Sequence, residues 1–113
     1  MRVVIPEEKF YSYALDFDRQ PNKAIAFRDS LGYTKINYQS LIDQIKKGFN
    51  EGSLLYRGNN GYGDLYELVL TVEGINGKRA NVCTGWIFFH EKDEYYMTSV
   101  YVTRRRPKND QTI

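Results

Sequence analysis

The chain has 113 residues, of which 42% are hydrophobic and 27% charged, enough apolar material for one core and an ordinary soluble surface. No run approaches the roughly 20 apolar residues that span a bilayer, so no stable membrane association is expected of this domain. The net charge of +2 does not by itself imply a nucleic-acid partner, and a single cysteine, Cys83, excludes an intrachain disulfide.

In chain order, the opening Met1-Arg2-Val3-Val4-Ile5 is too short an apolar stretch for a secretory signal. Pro6 suits a first helical turn, and Glu7 and Glu8 match the positive end of the helix dipole, which predicts a helix over 6–15. A polar connector over 16–21 follows. Asn22 is the expected N-cap of a second helix, with Ala24, Phe27 and Leu31 on its buried face and Gly32 as its stop. Asn37 is the expected cap of a third helix, striped by Leu41, Ile42, Ile45 and Phe49 and ended by Lys46 and Lys47.

The period then changes. Residues 66–72 alternate as a strand with Tyr66, Leu68, Leu70 and Val72 on one face. Asn76-Gly77 predicts a two-residue type I′ hairpin turn, which needs positive φ at both positions. The returning strand, 79–89, is apolar enough at its centre to be covered on both faces. A polar turn at 90–94 leads to a strand over 95–103. A further short strand fits either 53–57 or 2–5. The expectation is one α+β domain over 1–113, with short N-terminal helices packed on a C-terminal antiparallel β-sheet of three to five strands. The basic run Arg104, Arg105, Arg106 and Lys108 makes 104–113 a basic flexible tail or a phosphate-binding edge.

Candidate chemistry narrows by residue type. No Cys or His set has metal-ligand spacing, and no glycine-rich loop leads into Lys-Ser or Lys-Thr. Neither a metal nor a cofactor is therefore expected. Cys83 reads as a small core residue, and His90 as a solvated turn residue. The ten tyrosines suit strands, RNA bases or a protein partner. Lys, Arg, Thr and Tyr suit RNA cleavage, because RNA carries its own nucleophile, the 2′-hydroxyl. Such a site can act by positioning cations and hydroxyls around the phosphate.

Four segments carry a resemblance. They are Ile5-Pro6-Glu7-Glu8-Lys9-Phe10 with Tyr13-Ala14-Leu15; Lys23-Ala24 with Ala26-Phe27 and Leu31-Gly32-Tyr33; Asn76-Gly77 with Val82 and Thr84-Gly85-Trp86-Ile87; and Met97-Thr98-Ser99-Val100-Tyr101-Val102. In this order they resemble the C-terminal toxin domains of contact-dependent growth inhibition proteins and other polymorphic toxins, similar to the barnase and colicin ribonuclease superfamily. The chain departs from that pattern at His90-Glu91-Lys92-Asp93-Glu94, where relatives often carry a proline-containing turn.

The resemblance implies a barnase/colicin-type ribonuclease-like fold, metal-independent cleavage of transfer RNA, and a cognate immunity protein. It also implies a position at the tip of a secreted cell-surface protein, delivered to the cytoplasm of a target bacterium. On the matching positions it implies Lys9, Lys23, Thr84 and Thr98 as catalytic residues, with Trp86 and Tyr101 contacting substrate; Arg28 joins them as a candidate contact. Three have a structural counterpart: Thr84 and Thr98 as a cross-strand pair, and Trp86 as core. The competing functional reading is a non-enzymatic protein-binding module, of immunity type or associated with an adhesin. A DNA-cleaving toxin is a third, and normally needs a metal site.

Overall fold

The structure, a computed structural model, describes residues 1–107. Five strands form one mixed sheet: β1 (Arg2–Val4), β2 (Leu55–Asn59), β3 (Asp64–Glu73), β4 (Arg79–Phe89) and β5 (Glu94–Thr103), in the order β1-β5-β4-β3-β2. Strands β2 to β5 pair antiparallel, as expected. The edge strand β1 runs parallel to β5, so the sheet is not purely antiparallel. Both candidate short strands therefore exist, one at each edge.

The expected first helix shrinks to a π-type helical turn at Phe10–Ala14. Helix α1 (Pro21–Leu31) starts one residue before the expected cap. Pro21, with φ already fixed, takes the first turn, Gln20 holds the N-cap position, and Asn22 lies inside the helix. Gly32 ends α1 in the left-handed region at φ 77°, as expected. Helix α2 (Gln39–Gly48) begins after Tyr38. Asn37 does not cap it; its side chain accepts from Thr34 N–H at 2.8 Å and donates to the Gly32 carbonyl at 3.1 Å, tightening the preceding turn.

Tyr66, Leu68, Leu70 and Val72 of β3 all meet the hydrophobic core, as their alternation requires. On β4 the core row is Ala80, Val82, Thr84, Trp86 and Phe88, packed with Phe27 and Leu31 of α1, Leu41, Ile42 and Ile45 of α2, and Phe10. Burying one such side chain fully stabilises the fold by about 1.5–3 kcal/mol. On β5 the core-facing positions are Tyr95 and Met97, then Val100 and Val102. The parity switches because Thr98 is an extra residue: Gly85 pairs with Ser99, but Trp86 pairs with Met97.

The hairpin between β3 and β4 sits where expected, but its turn is longer. Glu73 pairs with Arg79, leaving a five-residue loop over 74–78 in which Gly77 has φ 81° and Asn76 does not have positive φ. The Gly77 N–H bonds the Gly74 carbonyl at 3.3 Å, and Ile75 N–H donates to the Leu31 carbonyl at 2.8 Å. The loop thus closes the end of α1, and that tertiary bond favours a longer connection over a two-residue I′ turn.

Candidate functional site

Strand β1 stops at Val4, opposite Tyr96, so β5 beyond Tyr96 has no strand on that side among the described residues. The helical turn at Phe10–Ala14 and the first turn of α1 close over this edge instead. Between them lies a cavity of about 190 Å³. Lys9, Tyr13, Gln20 and Lys23 line it from the helical side, and Thr98 and Ser99 from β5, with Ala14 and Val100 as apolar floor.

The bulge at Thr98 sets two hydroxyls side by side on β5, and the irregular strand permits this at low cost because no β1 ladder is there to break. Two lysines, Lys9 and Lys23, share the lining. Lys9 Nζ lies 5.3 Å from the Tyr13 ring centroid, and the Arg19 guanidinium lies 5.2 Å from the same ring. Lys23 Nζ lies 5.4 Å from the Tyr101 ring centroid. Lys23 is the third residue of α1, where a cation opposes the helix dipole, and Gln20 supplies no side-chain cap to that helix end. No carboxylate lines the cavity. Two ammonium groups, two hydroxyls and a helix N-terminus make an anion-binding environment, suited to a phosphate that gains charge during reaction.

Three of the four expected catalytic residues, Lys9, Lys23 and Thr98, therefore meet in one cleft although they are far apart in sequence. The fourth does not. Thr84 is 0% exposed; its hydroxyl donates to the Leu68 carbonyl at 2.7 Å and accepts from Trp86 Nε1 at 2.7 Å. It lies opposite Val100, not Thr98. Trp86 is 1% exposed and packs edge-on against Phe49 at 4.9 Å. Both are core, because the face they share is the one the helices cover. Arg28 is also outside the cleft: it pairs with Asp29 at 2.9 Å and covers the Phe17 ring. Tyr101 stands behind Lys23 and does not line the cavity.

On the face of the sheet away from the helices lies a second polar cluster. Glu67 of β3 binds Arg105 through both carboxylate oxygens, at 3.0 and 3.3 Å, and Arg57 at 3.4 Å. The hydrogen bonds from Arg105 hold its carboxyl well below the usual carboxylate range. Arg105 Nη2 also reaches Cys83 Sγ at 2.8 Å and the Tyr101 hydroxyl at 3.3 Å. Burial pushes the Cys83 thiol up, so it stays neutral at physiological pH, consistent with a structural cysteine. Arg105 is thus anchored, contrary to the expectation of a free basic tail from residue 104; Lys108 and the rest of that expected tail lie outside the described residues.

His90 pairs with Asp64 at 2.6 Å, with its side chain 68% exposed, and lines a separate open cavity of about 370 Å³ with Tyr62 and Phe89. Among the described residues, no three His, Cys, Asp or Glu side chains gather to hold a metal.

Residues 1–104 match the family described as "Domain of unknown function (DUF6883)". The chain belongs to the DUF6883 family. The DUF6883 match takes in every residue that lines the cleft and stops one residue before Arg105. No curated protein and no solved structure matches the chain.

Of the polar cleft residues, sequence reasoning missed Tyr13, Gln20 and Ser99, and it missed Arg19, which stacks on Tyr13. Tyr13 and Ser99 lie inside segments already singled out, four residues from Lys9 and next to Thr98. Gln20, immediately before Pro21, gave no local signal.

Proposed function

We propose that this DUF6883 domain is a toxin domain that cleaves RNA, with transfer RNA as its substrate and a cognate immunity protein as its partner. In this reading it forms the tip of a secreted cell-surface protein and acts in the cytoplasm of a target bacterium. The observation that carries the reading is the convergence of Lys9, Lys23 and Thr98 on one carboxylate-free cleft. The toxin resemblance points to the same three positions from sequence alone.

The cleft residues divide the work as follows. Lys9 and the Thr98 and Ser99 hydroxyls hold the non-bridging phosphate oxygens, where negative charge grows in the transition state. The 2′-hydroxyl loses its proton to solvent and bonds to phosphorus. The bond from phosphorus to the 5′-oxygen breaks, and the Lys23 ammonium protonates that leaving oxygen, to be reprotonated from water. The products are a 2′,3′-cyclic phosphate and a free 5′-hydroxyl.

The purified domain is expected to cut transfer RNA in the presence of chelator and to leave cyclic phosphate ends. Failure to cut any RNA, with or without divalent ions, overturns the function. Cleavage that stops in chelator overturns the metal-independent route.

One observation favours the competing reading of a protein-binding module. Among the described residues, strand β2 is a sheet edge with no strand beyond it and with Leu55 and Tyr56 exposed, a surface that suits strand addition by a partner. Expression of the domain alone in bacteria separates the two: a toxin arrests growth and a binding module does not.

A further inference from the structure

We propose that Tyr101 is a positioning residue for Lys23, and that Arg105 and Glu67 hold it in place from the opposite face of the sheet. The proposal rests on the cleft being the reacting site, but its central claim concerns the geometry of Lys23 and is measurable without RNA.

A lysine ammonium on a four-carbon stem wanders unless something fixes it. Among the described residues, no carboxylate is paired with Lys23; its contact is the face of the Tyr101 ring, at 5.4 Å. A ring face attracts an ammonium by its quadrupole, so the orientation of Tyr101 sets where Lys23 rests. Tyr101 is in turn fixed at its far end. Its hydroxyl meets Arg105 Nη2 at 3.3 Å, and that guanidinium is bound at two points by Glu67 and touches Cys83 Sγ.

The backbone of Arg105 is tied as well. Its carbonyl accepts from Asn81 Nδ2 at 2.9 Å, and Asn81 Oδ1 accepts from Thr71 Oγ1 at 2.8 Å. A continuous set of contacts therefore runs from β3 through the segment after β5 to Tyr101, and round the sheet edge to Lys23. That far face acts on the cleft through one tyrosine.

Carbon-13 NMR of reductively methylated protein tests this directly, because dimethyl-lysine keeps its charge. The Lys23 signal is assigned by its loss in Lys23→Arg and is expected to be displaced by the Tyr101 ring current. Tyr101→Leu moves it to the position of a free solvated lysine, while the Lys9 signal stays in place. Tyr101→Phe, which keeps the ring, retains most of the displacement. Arg105→Gln loosens the ring and reduces the displacement; Arg105→Lys restores part of it and serves if the glutamine variant melts early.

A Lys23 signal unchanged by Tyr101→Leu overturns the proposal. A signal that moves in Tyr101→Leu but is unchanged in both Arg105 variants overturns the anchoring from the opposite face. In RNA cleavage, Arg105→Gln is expected to lower kcat roughly tenfold with KM within about twofold, the pattern of a misplaced catalytic group. If the wild-type protein cuts no RNA, the function fails and the NMR result still decides the positioning.

Discussion

Gly85 of β4 lies directly across from Ser99 of β5, so close that a Cβ on Gly85 would strike the Ser99 hydroxyl. The Thr98 hydroxyl is the next neighbour, 3.1 Å from the same point. Glycine at this position therefore makes room for the bulge that sets both hydroxyls at the cleft. Gly85→Ala is expected to drive Ser99 from its rotamer and to press on Thr98, at an overpacking cost of about 1–3 kcal/mol. Urea melts measure that cost, and RNA cleavage should fall with it. Wild-type stability and activity in Gly85→Ala would show that the hydroxyls need no such room.

Lys23 supports the fold little. It is half-buried, its contact is a ring face, and it sits where a cation opposes the helix dipole. Lys23→Ala is expected to change stability by no more than about 0.5 kcal/mol. Cleavage should fall about a hundredfold, as when one donor to a charged transition state is removed. Thermal melts and kcat/KM on one preparation check both halves. An unfolded variant would return Lys23 to a structural role.

Part of this arrangement was legible in the sequence, and the limits have physical causes. The span of β4 could be read directly because a continuous apolar strand ends where charges and turn residues begin. The place of the hairpin was legible from Asn76-Gly77, but its turn type was not, because the Ile75 bond to the end of α1 is a contact across 44 residues of chain. Asn22 and Asn37 have the right chemistry for caps. Pro21 claimed the first position, and the turn at Thr34 claimed the second asparagine.

Alternation put Thr84 and Trp86 on one face correctly. Alternation does not say which face the helices cover, and that decided their role. Lys9, Lys23 and Thr98, which line one cleft, carry no local spacing signal and stand out in the sequence only through the resemblance. Arg105 and Glu67 were not found, since a pair separated by 38 positions leaves no local spacing to read.

Tyr33 joins three elements through one buried hydroxyl. It is paired with Ser40 Oγ at 2.9 Å, donates to the Glu73 carbonyl at 2.9 Å, and accepts from Gln44 Nε2 at 3.0 Å. Tyr33→Phe keeps the ring that fills the core but removes the hydroxyl from all three bonds, and Ser40, being exposed, turns to solvent. The Glu73 carbonyl retains Gln44 at 2.8 Å, which limits the damage. The expected loss is about 1–2 kcal/mol, or a fall in Tm of roughly 4–16 °C for a domain of this size. Calorimetry measures it. A Tm unchanged from wild type would mean that solvent replaces all three bonds.

Glu67 gives the fold a specific acid sensitivity. Its folded-state pKa is depressed, first by hydrogen bonds from Arg105 and further by the charges of Arg105 and Arg57. For a depressed carboxylate, stabilisation is fully present above the unfolded pKa of about 4.3 and is lost as pH falls through the lower folded value. Wild type is therefore expected to exceed Glu67→Gln in stability by about 1 kcal/mol at pH 7, since Arg105 is partly exposed and solvent screens the pair. The gap should close as pH falls below about 4. Asp16 and Asp64 are also depressed, so acid lability of the wild type alone does not isolate Glu67. The difference between the two proteins does, because those aspartates are common to both. Denaturant melts at pH 7 and pH 3 supply the comparison. A gap of the same size at both would mean that Glu67 acts through uncharged contact, and the ion pair with Arg105 would then carry none of the stability assigned to it.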